Sequence, residues 1–212
     1  MDFIGYYRKG VAMFWRLSML GLKRGDHITR YSMYRSLSKT SQQFASNEGD
    51  VLSISHSTYL CEVLGIKPKT LKEVNYPEGN ILSLEYPDET FDFVLSDQVL
   101  EHVEGSPRQA INESWRVLRT GGIAEHTTCF INPIHKQPGD FWRFTPDGLK
   151  CLSSKFSRII ACDGWGNFEA WYIIRNGLRF DGVPYAKWHP LHQRAIKNDP
   201  LWPIVTWIVA EK

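Results

Sequence analysis

The sequence predicts an α/β fold: a mostly parallel sheet covered by helices on both faces. Three observations carry that prediction. Phe91-Asp92-Phe93-Val94-Leu95 is a short apolar run that ends in the polar tip Ser96-Asp97-Gln98, the pattern of a buried strand. After the start signal Ser106-Pro107, the residues Ala110, Ile111, Ser114, Trp115, Val117 and Leu118 recur at helical spacing. Ile204-Val205-Thr206-Trp207-Ile208-Val209-Ala210 is a late, almost unbroken apolar strand. Strands that alternate with helices along a chain join through crossovers into a parallel sheet.

Taken in order, residues 1–45 read as a helical arm with loops, with apolar side chains at Val11, Phe14, Trp15, Leu17 and Leu20. Residues 46–212 then form one domain. Asn47-Glu48-Gly49-Asp50 is a turn into a strand over 51–54. A helix over 58–64 stops at Gly65, and a second strand follows at 71–74. Two turns, Tyr76-Pro77-Glu78-Gly79-Asn80 and Tyr86-Pro87-Asp88-Glu89-Thr90, flank a brief strand at 81–84. The helix beginning at Pro107 is expected to end at Gly121-Gly122, before a strand over 123–130. Thr145-Pro146 opens another helix, residues 156–162 form a strand, and residues 163–200 read as irregular.

Composition narrows the partners. Hydrophobic content of 42% and charged content of 23% are those of an ordinary globular protein. The net charge of +2 gives no bulk argument for nucleic acid. The charge is uneven: residues 1–40 carry eight Lys/Arg against Asp2 and Asp26. A solvated basic arm explains this, and contact with an acidic membrane surface or a sugar-nucleotide phosphate is the second explanation. Cys61, Cys129, Cys151 and Cys162 show no C-x-x-C pairing, so free thiols and a reducing, cytoplasmic setting are expected. The apolar stretch 11–22 is interrupted by Arg16 and is too short to span a bilayer, so no integral membrane segment is expected.

Three segments carry the chemistry: Val99-Leu100-Glu101-His102-Val103, Arg116-Val117-Leu118-Arg119-Thr120-Gly121-Gly122, and Asp140-Phe141-Trp142-Arg143-Phe144-Thr145-Pro146. Together they resemble the central half of class I S-adenosylmethionine (SAM) dependent methyltransferases, of the type 11-like small-molecule group. The resemblance implies a Rossmann-like fold: a mostly parallel seven-stranded sheet with an antiparallel last strand. It also implies SAM as cofactor, bound at the carboxyl ends of the strands. The loop matching the family's glycine loop is Ser53-Ile54-Ser55-His56-Ser57, without a glycine. Ser53, Ser55, His56 and Ser57 are its candidate cofactor contacts, and a plain strand-to-helix turn is the competing reading. Asn75 matches the family's ribose-binding acidic position, and Asn80-Ile81 matches the adenine border. Ser96 and Asp97 complete the cofactor set.

For the acceptor side, the resemblance implies a hydroxyl whose proton must be removed. His135, in the loop after the 123–130 strand, is the expected general base, with Asp97 or Glu101 as orienting groups nearby, and His102 is the catalytic candidate to which the role would otherwise move. His56 and His126 compete for the base role. Gln98, Glu101 and His102 would share one side of a helix starting near Asp97. Some family members bind a divalent metal through E-x-x-E-H, and Gln98 in place of the first acid makes metal the lesser alternative. Asp140, Trp142 and Arg143 are the expected acceptor contacts, an indole for an apolar ring face and a guanidinium for its oxygens. The segment 140–146 resembles methyltransferases found alongside glycosyltransferases in surface-polysaccharide synthesis. The leading expectation is therefore O-methylation of a sugar or glycan. The alternatives are a degenerate binding module and a methyltransferase for a quinone, lipid or aromatic metabolite.

Overall fold

The computed structural model describes residues 3–136 and 138–212. In chain order its elements are α1 (Phe3–Ser18), β1 (Arg24–His27), α2 (Ile28–Thr40), β2 (Glu48–Ile54), α3 (Tyr59–Leu64), β3 (Lys67–Val74), β4 (Phe91–Asp97), α4 (Pro107–Val117), β5 (Leu118–Cys129), α5 (Pro146–Leu152), β6 (Arg158–Trp165), α6 (Phe168–Ile173), β7 (Gly182–Pro184), α7 (Pro190–Ile196) and β8 (Val205–Glu211). They fall into two compact units. One joins the described residues of Met1–Tyr34 to Trp165–Ile204; the other joins Arg35–Gly164 to Val205–Lys212. The chain thus divides elsewhere than at the expected 45/46 boundary. No helix among the described residues is long and apolar enough to cross a membrane.

The main sheet has the order β3-β2-β4-β5-β8-β6. β2 pairs in parallel with β3 and β4, and β4 in parallel with β5. β8 pairs antiparallel to β5, with Ala124 opposite Ala210 and Thr127 opposite Trp207, as expected for the last strand. β4 is central because both its faces are covered: Phe91, Phe93, Val94 and Leu95 are all buried. α4 closes one face through Ala110, Ile111 and Val117, which join Leu52, Ile54, Val94, Leu100 and Ala124 in one apolar cluster. Each such buried aliphatic side chain contributes about 1.5–3 kcal/mol.

The sheet has six strands, one fewer than expected. Residues 81–84 form no strand, and the neighbourhood holds only an isolated bridge between Asn80 and Ser83. The reason lies in α4. Arg116 donates to the carbonyls of Leu84 and Tyr86, at 2.9 and 2.8 Å, and Glu113 accepts the Leu84 N–H at 3.0 Å. Backbone groups that would build an outer ladder are bound to a helix instead.

Gly121-Gly122 also differs from expectation. α4 ends at Val117, and both glycines lie inside β5, where the register shifts between Phe91 and Phe93. Gly121 has φ +80°, and a Cβ on Gly122 would stand 2.8 Å from the Arg119 carbonyl oxygen. The pair therefore makes a bulge rather than a helix stop.

Residues 163–200 are more ordered than their composition suggests. The Asn167 side chain caps α6 by accepting from Ala170 N–H at 2.7 Å, and the His189 ring caps α7 by accepting from Leu191 N–H at 3.1 Å. A π-helical turn, Ile174–Leu178, follows α6, and β7 pairs antiparallel with β1.

Candidate active site

The site is built where β2, β3 and β4 end. Beyond Ile54 the chain turns through Ser55 (φ +53°) and His56 (φ +61°), and beyond Asp97 through Gln98 (φ +59°). All three are left-handed, the region that glycine normally supplies. The loop therefore keeps a glycine-like course without a glycine. It is held by two bonds to the end of β3: Ser55 N–H to Val74 O at 2.8 Å and His56 N–H to the Asn75 side-chain oxygen at 2.9 Å. Strained residues gathered at strand tips mark positions that the surrounding structure over-determines. Ser55→Gly is accordingly expected to stabilise the fold by about 0.5–1 kcal/mol, relief of the left-handed penalty less the extra entropy of glycine when unfolded. Urea titration reads this directly, and a destabilised variant would show that the Ser55 side chain holds the loop.

A cavity of about 420 Å³ opens at these tips. Ile54, Ser55, Val74, Tyr76, Asn80 and Ile81 line one part, and Gln98, Val99, His102, Val103, Gly139 and Phe141 line the other. Among the expected cofactor contacts, Ser55, Asn80 and Ile81 lie on its wall. Ser53 and Ser96 are buried in the sheet, and Ser57 is buried in the turn that follows β2. Ser57 pins two strands, donating to Ile54 O and accepting from Asp97 N–H at 2.7 Å. Ser96 Oγ bonds His126 Nδ1 at 2.7 Å. Asp97 accepts from the Thr127 hydroxyl, and His56 is exposed. The Asn80 side chain accepts from Leu82 N–H at 2.9 Å.

The other side of the cavity is a clamp. Val99–Val103 is not the expected α-helix but contains a 3-10 turn, Leu100–His102. Its backbone holds the following loop: the Glu101 carbonyl accepts from Phe141 N–H at 2.8 Å and Trp142 N–H at 3.2 Å, and the Val103 carbonyl accepts from the Trp142 indole at 2.9 Å. Glu101 is fully buried and accepts from the Thr128 hydroxyl at 2.9 Å. His102 Nδ1 bonds the Gly139 carbonyl, so Nδ1 carries the proton and Nε2 is the accepting nitrogen.

His135 stands edge-on to His102, with ring centroids 4.7 Å apart at 80°. Its Nδ1 lies 2.8 Å from the Asn132 amide nitrogen and 3.2 Å from Asp140. One ligand atom each from Glu101, His102 and His135 lies within 4.8 Å of the others, so three separate donors of metal-binding type converge here. Asp140 and Arg143 form a forked ion pair, and Arg143 also donates to Trp142 O at 2.7 Å. Arg143 and the His135 N–H hold the Asp140 carboxyl well below the usual range. His126 is fully buried, which pushes its pKa down to about 4, as suits a structural rather than a catalytic ring. Burial likewise raises the thiols of Cys129 and Cys162 to about 12 and about 11, in keeping with cysteines that pack as small hydrophobes.

Several wall residues gave no sequence signal. Tyr76, Gly79 and Pro138 reach the cavity from turns whose path is set by tertiary contacts, and Gly139 contributes a backbone carbonyl.

A six-stranded mixed sheet with an antiparallel penultimate strand, and a cavity at the parallel strand ends, defines a Rossmann-like α/β fold. Residues 37–125 match a family described as methyltransferase domain. The chain is 39% identical over 79 residues to the 2-methyl-6-phytyl-1,4-hydroquinone methyltransferase 1 of Oryza sativa subsp. japonica, a match covering 36% of this chain. It spans 22% of that relative's length. The fold is shared with a SAM-dependent methyltransferase from Mesorhizobium loti (TM-score 0.56, 10% identity, 87% and 98% of the two chains covered). It is also shared with one from Archaeoglobus fulgidus (TM-score 0.53, 13% identity, 86% and 94% covered). The residues present fit the cofactor in two respects: the cavity is of cofactor size, and the small residue Ser55, in a glycine-like backbone conformation, stands on its wall.

Proposed function

We propose that this chain methylates a hydroxyl of a small phenolic or quinol-type acceptor, with His102 as the group that takes the proton. The observation that carries the reading is His102 itself: it lines the cavity, and its Nδ1–H is committed to Gly139, which leaves Nε2 as the base. Bound SAM supplies an already activated methyl group. The chain's task is then to hold the acceptor oxygen in line and receive its proton. Ile54, Val74, Tyr76, Ile81, Val99, Val103 and Phe141 give the cavity an apolar half-wall on which a flat ring can lie, beside the polar Ser55, Asn80, Gln98 and His102. The similarity to a hydroquinone methyltransferase favours the same acceptor class. His135 is read as a positioning residue that packs on His102, with Asp140 and Asn132 holding its ring.

A sugar acceptor is the second reading, favoured by the exposed Phe141 and Trp142 rings at 48% and 40%. Against it, the Trp142 indole N–H and the Arg143 guanidinium already have protein partners. Titration calorimetry with S-adenosylhomocysteine tests the cofactor site first, and micromolar-scale binding is expected. Absence of heat at millimolar ligand would leave a degenerate binding module. A panel of catechols, quinols and sugars then decides the acceptor, and transfer to sugars alone would overturn the phenolic reading.

A further inference from the structure

The helix α1 turns its apolar side outward. Phe3, Tyr6, Tyr7, Met13, Phe14 and Leu17 are all more than half exposed. At 3.6 residues per turn they fall on one stripe. The other side of the helix is anchored in its own unit. Ala12 is buried, Arg16 donates to the Gly177 carbonyl at 3.1 Å, and the same guanidinium pairs with Asp181 at 3.0 Å. A surface helix of a globular protein normally has the reverse arrangement.

The charges on this helix have one sign. Phe3–Ser18 carries Arg8, Lys9 and Arg16 and no acidic residue. Arg8, Lys9, Arg16 and Arg175 rim a groove of about 530 Å³ that also includes Met13, Leu17 and Leu20. Aromatic and aliphatic side chains on one face, with a basic border, are the makeup of a helix lying in the headgroup layer of a bilayer.

We propose that α1 docks this unit onto an anionic lipid surface, with the Phe3–Leu17 stripe in the acyl boundary and the exposed rim cations Lys9 and Arg175 on lipid phosphates. Charge complementarity selects the lipid over a second copy of the chain. Two such stripes face to face would bring Lys9, which borders the stripe, towards its own image. At 16 residues the helix lies on the surface rather than through it. The proposal does not depend on the identity of the methyl acceptor.

Co-sedimentation of the full chain with vesicles tests it. Vesicles of phosphatidylcholine with phosphatidylglycerol should carry the protein down, those of phosphatidylcholine alone should not, and added salt should weaken binding. Lys9→Gln with Arg175→Gln should lower partitioning roughly 10–30-fold. Phe14→Glu with Leu17→Glu should abolish it, and because both side chains are exposed the melting temperature should stay that of the parent. No sedimentation with anionic vesicles, or sedimentation that survives the double Glu variant, would overturn the proposal. So would a lipid-free dimer, seen by light scattering, that the same variant dissolves.

Discussion

His102→Ala is expected to lower kcat/KM by about 10²–10⁴-fold while S-adenosylhomocysteine affinity is little changed, the loss typical of a missing general base. The direction follows from the bonding of one ring. The Gly139 carbonyl can only accept, so the proton of neutral His102 sits on Nδ1 and the lone pair on Nε2. No comparable argument places a lone pair for His126, which is buried against Ser96. His135→Ala should cost less than His102→Ala, because His135 touches the base and not the cavity wall. The reverse ranking would return the base to His135.

His102 and His135, together with Glu101, admit one other chemistry, and it is separable. Glu101, His102 and His135 offer a carboxylate and two imidazoles within 4.8 Å of one another, the donor types that a divalent transition metal accepts. If EDTA abolishes turnover and Mn²⁺ or Zn²⁺ restores it, the hydroxyl is acidified by metal and His102 is a ligand. If EDTA has no effect, the loss in His102→Ala belongs to proton transfer.

The sequence made the sheet centre legible and left the cavity walls dark, for a physical reason. β4, α4 and β8 are specified by local pattern: an apolar run, a helical stripe after Ser106-Pro107, and a second apolar run. The missing strand and the bulge are decided by residues far away in sequence. Arg116 removes the carbonyls of residues 84 and 86 from any ladder, which no window around residue 84 reveals. Ser55, His56 and Gln98 adopt left-handed angles for which Ser and Gln have no intrinsic preference, so tertiary bonding imposes them. Of the cofactor contacts placed by resemblance, Ser55, Asn80 and Ile81 reach the cavity, whereas Ser57 and Ser96 tie strands together. Small polar residues at strand tips serve both purposes, and only the fold separates them.

The largest stability loss is expected from Asp140→Asn. The Asp140 side chain is 1% exposed and accepts a fork from Arg143, one arm at 2.7 Å, together with His135 N–H at 2.8 Å. Removing one partner of such a pair leaves a largely buried guanidinium without its counter-charge, at a cost of about 3–5 kcal/mol. That is a large share of the roughly 5–15 kcal/mol that holds a domain together. The pH dependence carries a second signature. Arg143 depresses the Asp140 carboxyl, so its stabilisation is complete above the unfolded carboxylate value of about 4 and is lost as pH falls towards the lower folded value. His126 is depressed too, but as a base: its neutral buried form loses ground earlier, from the unfolded value of about 6.5 down to its folded value of about 4. Urea unfolding of parent and variant between neutral and strongly acid pH separates the two. Asp140→Asn should be weaker at neutral pH, keep the decline that His126 causes, and lose the steeper fall below it. A variant within about 1 kcal/mol of the parent at neutral pH, the worth of an exposed ion pair, would show that this clamp is not what holds the 132–143 loop in place.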